Sequence, residues 1–182
     1  DRRAGRPAGS RFPPVGIATT STAMDHLDAA RIMAADCLCF RARRAARAIT
    51  RAYDTALRPT GLQATQVTLL NVVALGPEGA RPMGQLAEIM ALEISTLTRN
   101  LRPLEGAGLI TVGRSDTDRR VRVVRLTEAG KTRLAAALPY WNRAHAEIVA
   151  TLGDAAATTF RTTLDDVTRA MKSAEQRPVA DD

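Results

Sequence analysis

Apolar positions separated by three and four residues recur through most of this chain and predict a mainly helical fold. In the stretch Glu93–Gly130, Ile94, Leu97, Leu101 and Leu104 advance by three, four and three residues. That spacing predicts a helix with one buried face. The opposite face carries Ser95, Thr96, Thr98, Arg99 and Arg102, all hydrogen-bond donors and none acidic. Gly106 and Gly108 suit a left-handed cap at its end. Two β-branched segments follow, Leu109–Val112 and Val121–Leu126, and the polar run from Gly113 to Arg120 between them suits a hairpin tip.

The flanking segments carry helical stripes. From Asp25 to about Leu57 the seam is Ile32, Ala35, Cys39, Ala42, Ala46, Ile49, Tyr53 and Ala56, with Arg41, Arg43, Arg44, Arg47 and Arg51 on the other side. A seam of such small residues suits close packing against a second subunit. A helix from about Thr65 to Leu75 is apolar on most sides. After a turn at Gly76–Gly79, Pro82 suits the first position of a short helix, Met83–Ala91, with Leu86, Ile89 and Met90 inward. Thr127 can cap a helix running to about Leu152, striped by Leu134, Leu138, Trp141, Ile148 and Leu152. Pro103 is expected to kink its helix or weaken a hydrogen bond there, and a bend is expected at Pro139. Asp154 opens a last helix with Phe160, Leu164, Val167 and Met171 on one face.

Composition changes this picture only in part. The 182 residues support one domain or one domain with extensions, and 45% hydrophobic residues suffice for a core. Aromatics are 3%, so that core is largely aliphatic. The net charge is +7, and Lys131 and Lys172 are the only lysines. Arginine forks suit phosphate and narrow minor grooves, although a GC-rich genome gives the same bias. Residues 1–23 mix Arg, Gly, Pro, Ser and Thr without periodicity and are expected to be disordered. Met24 is a natural translation start, so this basic tail either lies outside the native protein or serves as an arm. Residues 176–182 are expected to fray. Neither a secretory h-region nor a run long enough to span a membrane is present, and the two cysteines, Cys37 and Cys39, make no disulfide framework. The expected compartment is the cytoplasm.

A polar-faced helix followed by a basic-tipped hairpin is the layout of a winged helix-turn-helix. Asp118 and Arg120, then Leu126, Thr127 and Gly130, resemble the wing signature of MarR-type transcription regulators. Gln85 to Glu88 and Leu97 to Asn100 resemble the two helices before it, and the likeness extends over roughly residues 36–170. The resemblance implies a homodimeric regulator that binds a pseudo-palindromic site on double-stranded DNA and is released by a small-molecule effector. It implies a dimerisation helix over 24–62, a DNA-binding domain over 63–130 and further dimerisation helices over 131–175.

It also implies that Arg120 enters the minor groove while Asp118 holds its guanidinium in place. Arg114 and Arg119 are candidate phosphate contacts, and Ser95, Thr96, Thr98, Arg99 and Arg102 are candidates for the major groove. Cys39, Phe40 and Tyr53 resemble the first helix of the organic-hydroperoxide-sensing branch, where such a cysteine is peroxidatic. A second tyrosine is missing near Ala64, however, and no C-terminal cysteine could resolve a sulfenic acid. On the apolar seam Cys39 reads first as a small packed hydrophobe. His26 and His145 lack partners at metal-ligand spacing and read as solvated or packed. Neither a nucleophile–base pair nor a phosphate loop is present, so no catalytic residue, metal or cofactor is assigned. A winged-helix module that binds only protein is a further reading. The recognition face, without apolar anchors, speaks against it.

Overall fold

The computed structural model describes residues 25–175. The expectations for residues 1–23 and 176–182 lie outside that range. The chain divides into a first unit ending at Arg41 and a second beginning at Ala42.

The first unit holds helix α1, His26–Asp36, and the opening turn of α2, Leu38–Leu57. The single helix expected from Asp25 to Leu57 is therefore broken. Cys37 is the breaking residue, with φ −66° and ψ 104°. Side-chain bonds to the backbone stabilise the break. The Cys37 Sγ accepts the Phe40 N–H at 3.3 Å, and the Arg41 guanidinium donates to the Ala35 carbonyl. Both satisfy groups that a helix end leaves orphaned.

In the second unit the core is aliphatic, as composition required. Leu57, Leu69, Leu70, Val73, Leu86, Leu97, Leu104, Ile110 and Val124 are each under 2% exposed. They come from the end of α2, from α3 (Ala64–Ala74), α4 (Met83–Ile89) and α5 (Ile94–Gly106), and from a small sheet. Asp54 starts α3 by accepting the Ala64 N–H at 2.7 Å. The sheet has three antiparallel strands in the order β1, β3, β2, where β1 is Ala80–Pro82, β2 Ile110–Arg114 and β3 Arg122–Leu126. The first strand was not expected; Arg81 pairs with Val124. Pro82 precedes α4 in an extended conformation and is not its first helical residue.

Neither proline interrupts its helix. Both α5, with Pro103, and α6 (Glu128–Leu152), with Pro139, run on through it. Lacking an N–H, Pro103 cannot donate to the Arg99 carbonyl one turn back, so the bond lost there is the one the ring removes. Several stripe residues are not inward, among them Ile89 at 52%, Ile94 at 49% and Leu138 at 55% exposed. Ile89 and Ile94 flank the turn between α4 and α5, where the chain reverses through Ala91 at φ +49°. The last helix, α7, spans Asp154–Glu175 and has no buried residue.

Candidate nucleic-acid interface

Helix α5 has two faces of opposite character. Leu97, Leu101 and Leu104 are buried. Ser95, Arg99 and Arg102, half a turn away, are exposed. Thr96 and Thr98 sit at the margins and are half-buried. Thr98 spends its hydroxyl proton on the Ile94 carbonyl at 2.7 Å, so only its lone pairs remain for a partner. The arginines Arg99 and Arg102 close no ion pair among the described residues.

The exit from α5 is built tightly. Gly108 takes φ +69°, the left-handed conformation expected at a helix C-terminus, while Gly106 remains within the helix. Thr127 then joins three segments. Its Oγ1 donates to the Gly108 carbonyl at 2.7 Å and accepts the Gly130 N–H at 3.0 Å, which caps α6 as expected. A Cβ at Gly130 would lie 2.0 Å from the Leu109 carbonyl oxygen, so only glycine lets α6 approach the start of β2. The Leu126–Gly130 part of the wing signature is thus a latch between helix and sheet.

Between β2 and β3 the tip is an ordered turn. The Ser115 N–H donates to the Val121 carbonyl at 2.8 Å, and Val121 N–H to the Asp118 carbonyl at 2.9 Å. The Asp118 Oδ1 accepts the backbone N–H of Arg120 at 2.9 Å. That corrects the expected pairing, because Asp118 holds the Arg120 main chain and not its guanidinium. The Arg120 and Arg119 side chains are exposed and without an ion pair among the described residues. Arg114 is exposed and has a contact within the turn. Its Nη1 donates to the Arg119 carbonyl at 3.0 Å and braces the turn. Arg125 bridges to Asp116 at 2.8 Å, a contact that sequence reading missed. Missed as well was Arg122, exposed beside the tip and opposite Arg114 in the ladder. Its signal was its place at the tip end of β3, a charged residue directly before the buried pair Val123 and Val124.

Away from this face, His145 is packed. Its ring stacks on Trp141 with centroids 4.7 Å apart, and its Nδ1 lies 3.1 Å from the Tyr53 hydroxyl. Burial pushes the Tyr53 pKa above the ordinary phenol range. Cys39 is exposed in the single chain and belongs to the first unit. Among the described residues no group of three or more His, Cys, Asp and Glu could hold a metal, and no helix is long and apolar enough to cross a membrane.

Comparison with known proteins agrees with this geometry. The MarR family model matches residues 60–121. The transcriptional regulator MosR of M. tuberculosis, solved in complex with DNA, is 35% identical, with a TM-score of 0.68 over 76% of this chain and 98% of that one. Two more distant structures show the same fold. AbsC, a MarR family transcriptional regulator from Streptomyces coelicolor, is 20% identical, with a TM-score of 0.65 over 74% of this chain and 93% of its own. A mutant MarR from E. coli, complexed with operator DNA, is 20% identical, with a TM-score of 0.64 over 71% and 92%. With a buried leucine ridge under a polar helix face and a latched, arginine-tipped wing, this chain belongs to the MarR family of transcriptional regulators.

Proposed function

We propose that the protein is a homodimeric repressor that binds a pseudo-palindromic duplex site and leaves it when a small-molecule effector binds. The observation that carries this reading is the pair of unpaired arginine sets, Arg99 and Arg102 on α5 and Arg119 and Arg120 on the wing, in one folded unit. Helix α5 enters the major groove, where Arg99 forks onto a guanine and Ser95 and Thr96 meet bases or phosphates. The wing places Arg120 in the neighbouring minor groove. Asp118 and Arg114 support this contact by shaping the turn.

Residues 63–130 serve as the DNA-binding domain, and 24–62 with 131–175 as the helical layer that pairs two copies. Exposed Leu152, Leu164, Val167 and Met171 support that division, since each is 45–57% exposed in one chain. Two lobes so joined meet half-sites roughly 34 Å apart. An effector acts by favouring a lobe spacing unsuited to the duplex. No catalytic role is proposed.

Selection of bound fragments from a random duplex library tests the reading. We expect enrichment of an inverted repeat with half-sites about one helical turn apart. Recovery of no preferred sequence would sink it. Sedimentation at micromolar concentration tests the pairing, with a folded monomer as the contrary result.

A second reading rests on one observation. Cys39 is not covered by its own chain, so a thiol switch is open to it unless a second copy covers the seam. In that reading, oxidation at Cys39 takes the place of the effector.

A further inference from the structure

Helix α2 carries a basic face that the recognition helix and wing do not explain. Arg43, Arg44, Arg47 and Arg51 are all exposed. At 100° per residue they fall within an arc of about 100° on the helix surface. The apolar positions Ala45, Ala48, Ile49 and Ala52 lie on a different arc, where they line a groove of about 910 Å³ with α6 and α7. No apolar residue lies among the arginines between positions 43 and 51 on that arc. The only acid on α2, Asp54, lies beyond Arg51 and accepts the Ala64 N–H at the start of α3.

Several cations elsewhere on the surface have a carboxylate partner. Arg125 binds Asp116, Lys131 binds Glu128 and Arg169 binds Asp166. Arg143 and Arg161 stand singly on their helices. The guanidinium groups of Arg43, Arg47 and Arg51, by contrast, are grouped and close no ion pair among the described residues. Self-repulsion of such a group costs stability unless a partner supplies negative charge.

We infer that this face is a second, sequence-independent contact for the phosphate backbone of double-stranded DNA, outside the bases that α5 reads. The inference rests on the DNA-binding reading above. Its physical basis is a match of charge density. From Arg43 to Arg51 the helix rises about 12 Å, and a DNA strand carries one phosphate per roughly 3.4 Å of axis. About three phosphates therefore lie along the span of the Arg43, Arg47 and Arg51 forks, which bind them bidentately. Between positions 43 and 51 the arc offers a protein partner no aromatic or aliphatic anchor; Phe40, one turn earlier, is the exposed aromatic beside it.

The test is the variant R43Q/R47Q/R51Q, titrated by fluorescence anisotropy onto a duplex from the protein's own promoter at several salt concentrations. Each lost phosphate contact reduces the slope of log K against log salt by about 0.9, so the slope should shrink by at least about 2. The charge-keeping variant R43K/R47K/R51K should retain it. A control, R143Q/R161Q/R169Q, removes the same charge elsewhere and should change it far less. An unchanged slope in the first variant overturns the inference, and so does an equal change in the control. Loss of binding to phosphatidylglycerol vesicles with the DNA slope intact would also overturn it, and would assign the face to membranes. If the wild type binds the promoter duplex, as the DNA-binding reading requires, each of these failures leaves that reading standing. If the wild type binds no duplex, both fall together.

Discussion

The carboxylate of Asp118 accepts a hydrogen bond from the backbone N–H of Arg120 at 2.9 Å, and the Arg120 guanidinium projects without an ion pair among the described residues. The turn is thus shaped before any DNA arrives, which lowers the ordering cost of inserting the arginine. Two substitutions then separate reach from shape. Arg120→Ala should weaken operator binding by roughly 1–3 kcal/mol, with the dimer intact. Asp118→Ala should weaken it less, because the Ser115–Val121 and Arg114–Arg119 bonds still hold the turn. Gel-shift titration decides both. Unchanged affinity in Arg120→Ala would remove the minor-groove contact.

The parts of this interface legible in the sequence were those set by local period. Leu97, Leu101 and Leu104 share a face because of helical geometry alone, and all three are buried. What escaped depends on contacts between distant residues or between side chain and backbone. The strand Ala80–Pro82 is too short to announce itself and exists because Arg81 meets Val124. The break at Cys37 depends on its own Sγ and on Arg41, neither of which alters hydrophobic spacing. His145 finds Tyr53 across 92 residues. Ile89 and Ile94 followed the period but lie beside the turn between α4 and α5, so their exposure could not be read from spacing.

Gly130 sets the distance between α6 and the sheet. Gly130→Ala would place a methyl carbon 2.0 Å from the Leu109 carbonyl oxygen and 2.9 Å from the Leu126 Cδ1. The first clash is with backbone, so a rotamer change cannot relieve it. We expect a loss of about 3 kcal/mol in urea unfolding, the upper end for overpacking. A loss under about 0.5 kcal/mol, the range of ordinary surface substitutions, would show that the latch gives easily.

Glu88 on α4 pairs with Lys172 on α7, and both side chains are about half exposed. The hydrogen bond from Lys172, followed by its charge, holds the Glu88 carboxyl below the ordinary glutamate range. A lowered folded pKa means the contribution is present above the unfolded value of about 4.3 and is lost as pH falls through the folded one. Lys172→Met should return Glu88 to the ordinary range in an NMR titration of its side-chain carboxyl. Its effect on stability should be seen at neutral pH, shrink in high salt and vanish in acid. A Glu88 titration that does not move would mean that the pair does not persist in solution.

Cys39 is the residue on which the two switching readings diverge. A peroxide-sensing thiolate needs access and a lowered pKa. In the single chain Cys39 is exposed. A built environment for the thiolate is less evident. The neighbouring Cys37 Sγ already accepts the Phe40 N–H, and the Arg41 guanidinium is engaged with the Ala35 carbonyl. Arg43, one turn further along α2, closes no ion pair among the described residues and is a cation of the required sign. One cation on an exposed turn is screened by water and salt. We therefore expect Cys39→Ser to retain both operator binding and release by the effector. The comparison is wild type against Cys39→Ser, each treated with organic hydroperoxide and assayed for operator release. Release of the wild type at low peroxide, with the serine variant still bound, would reverse this ranking and make Cys39 the sensor.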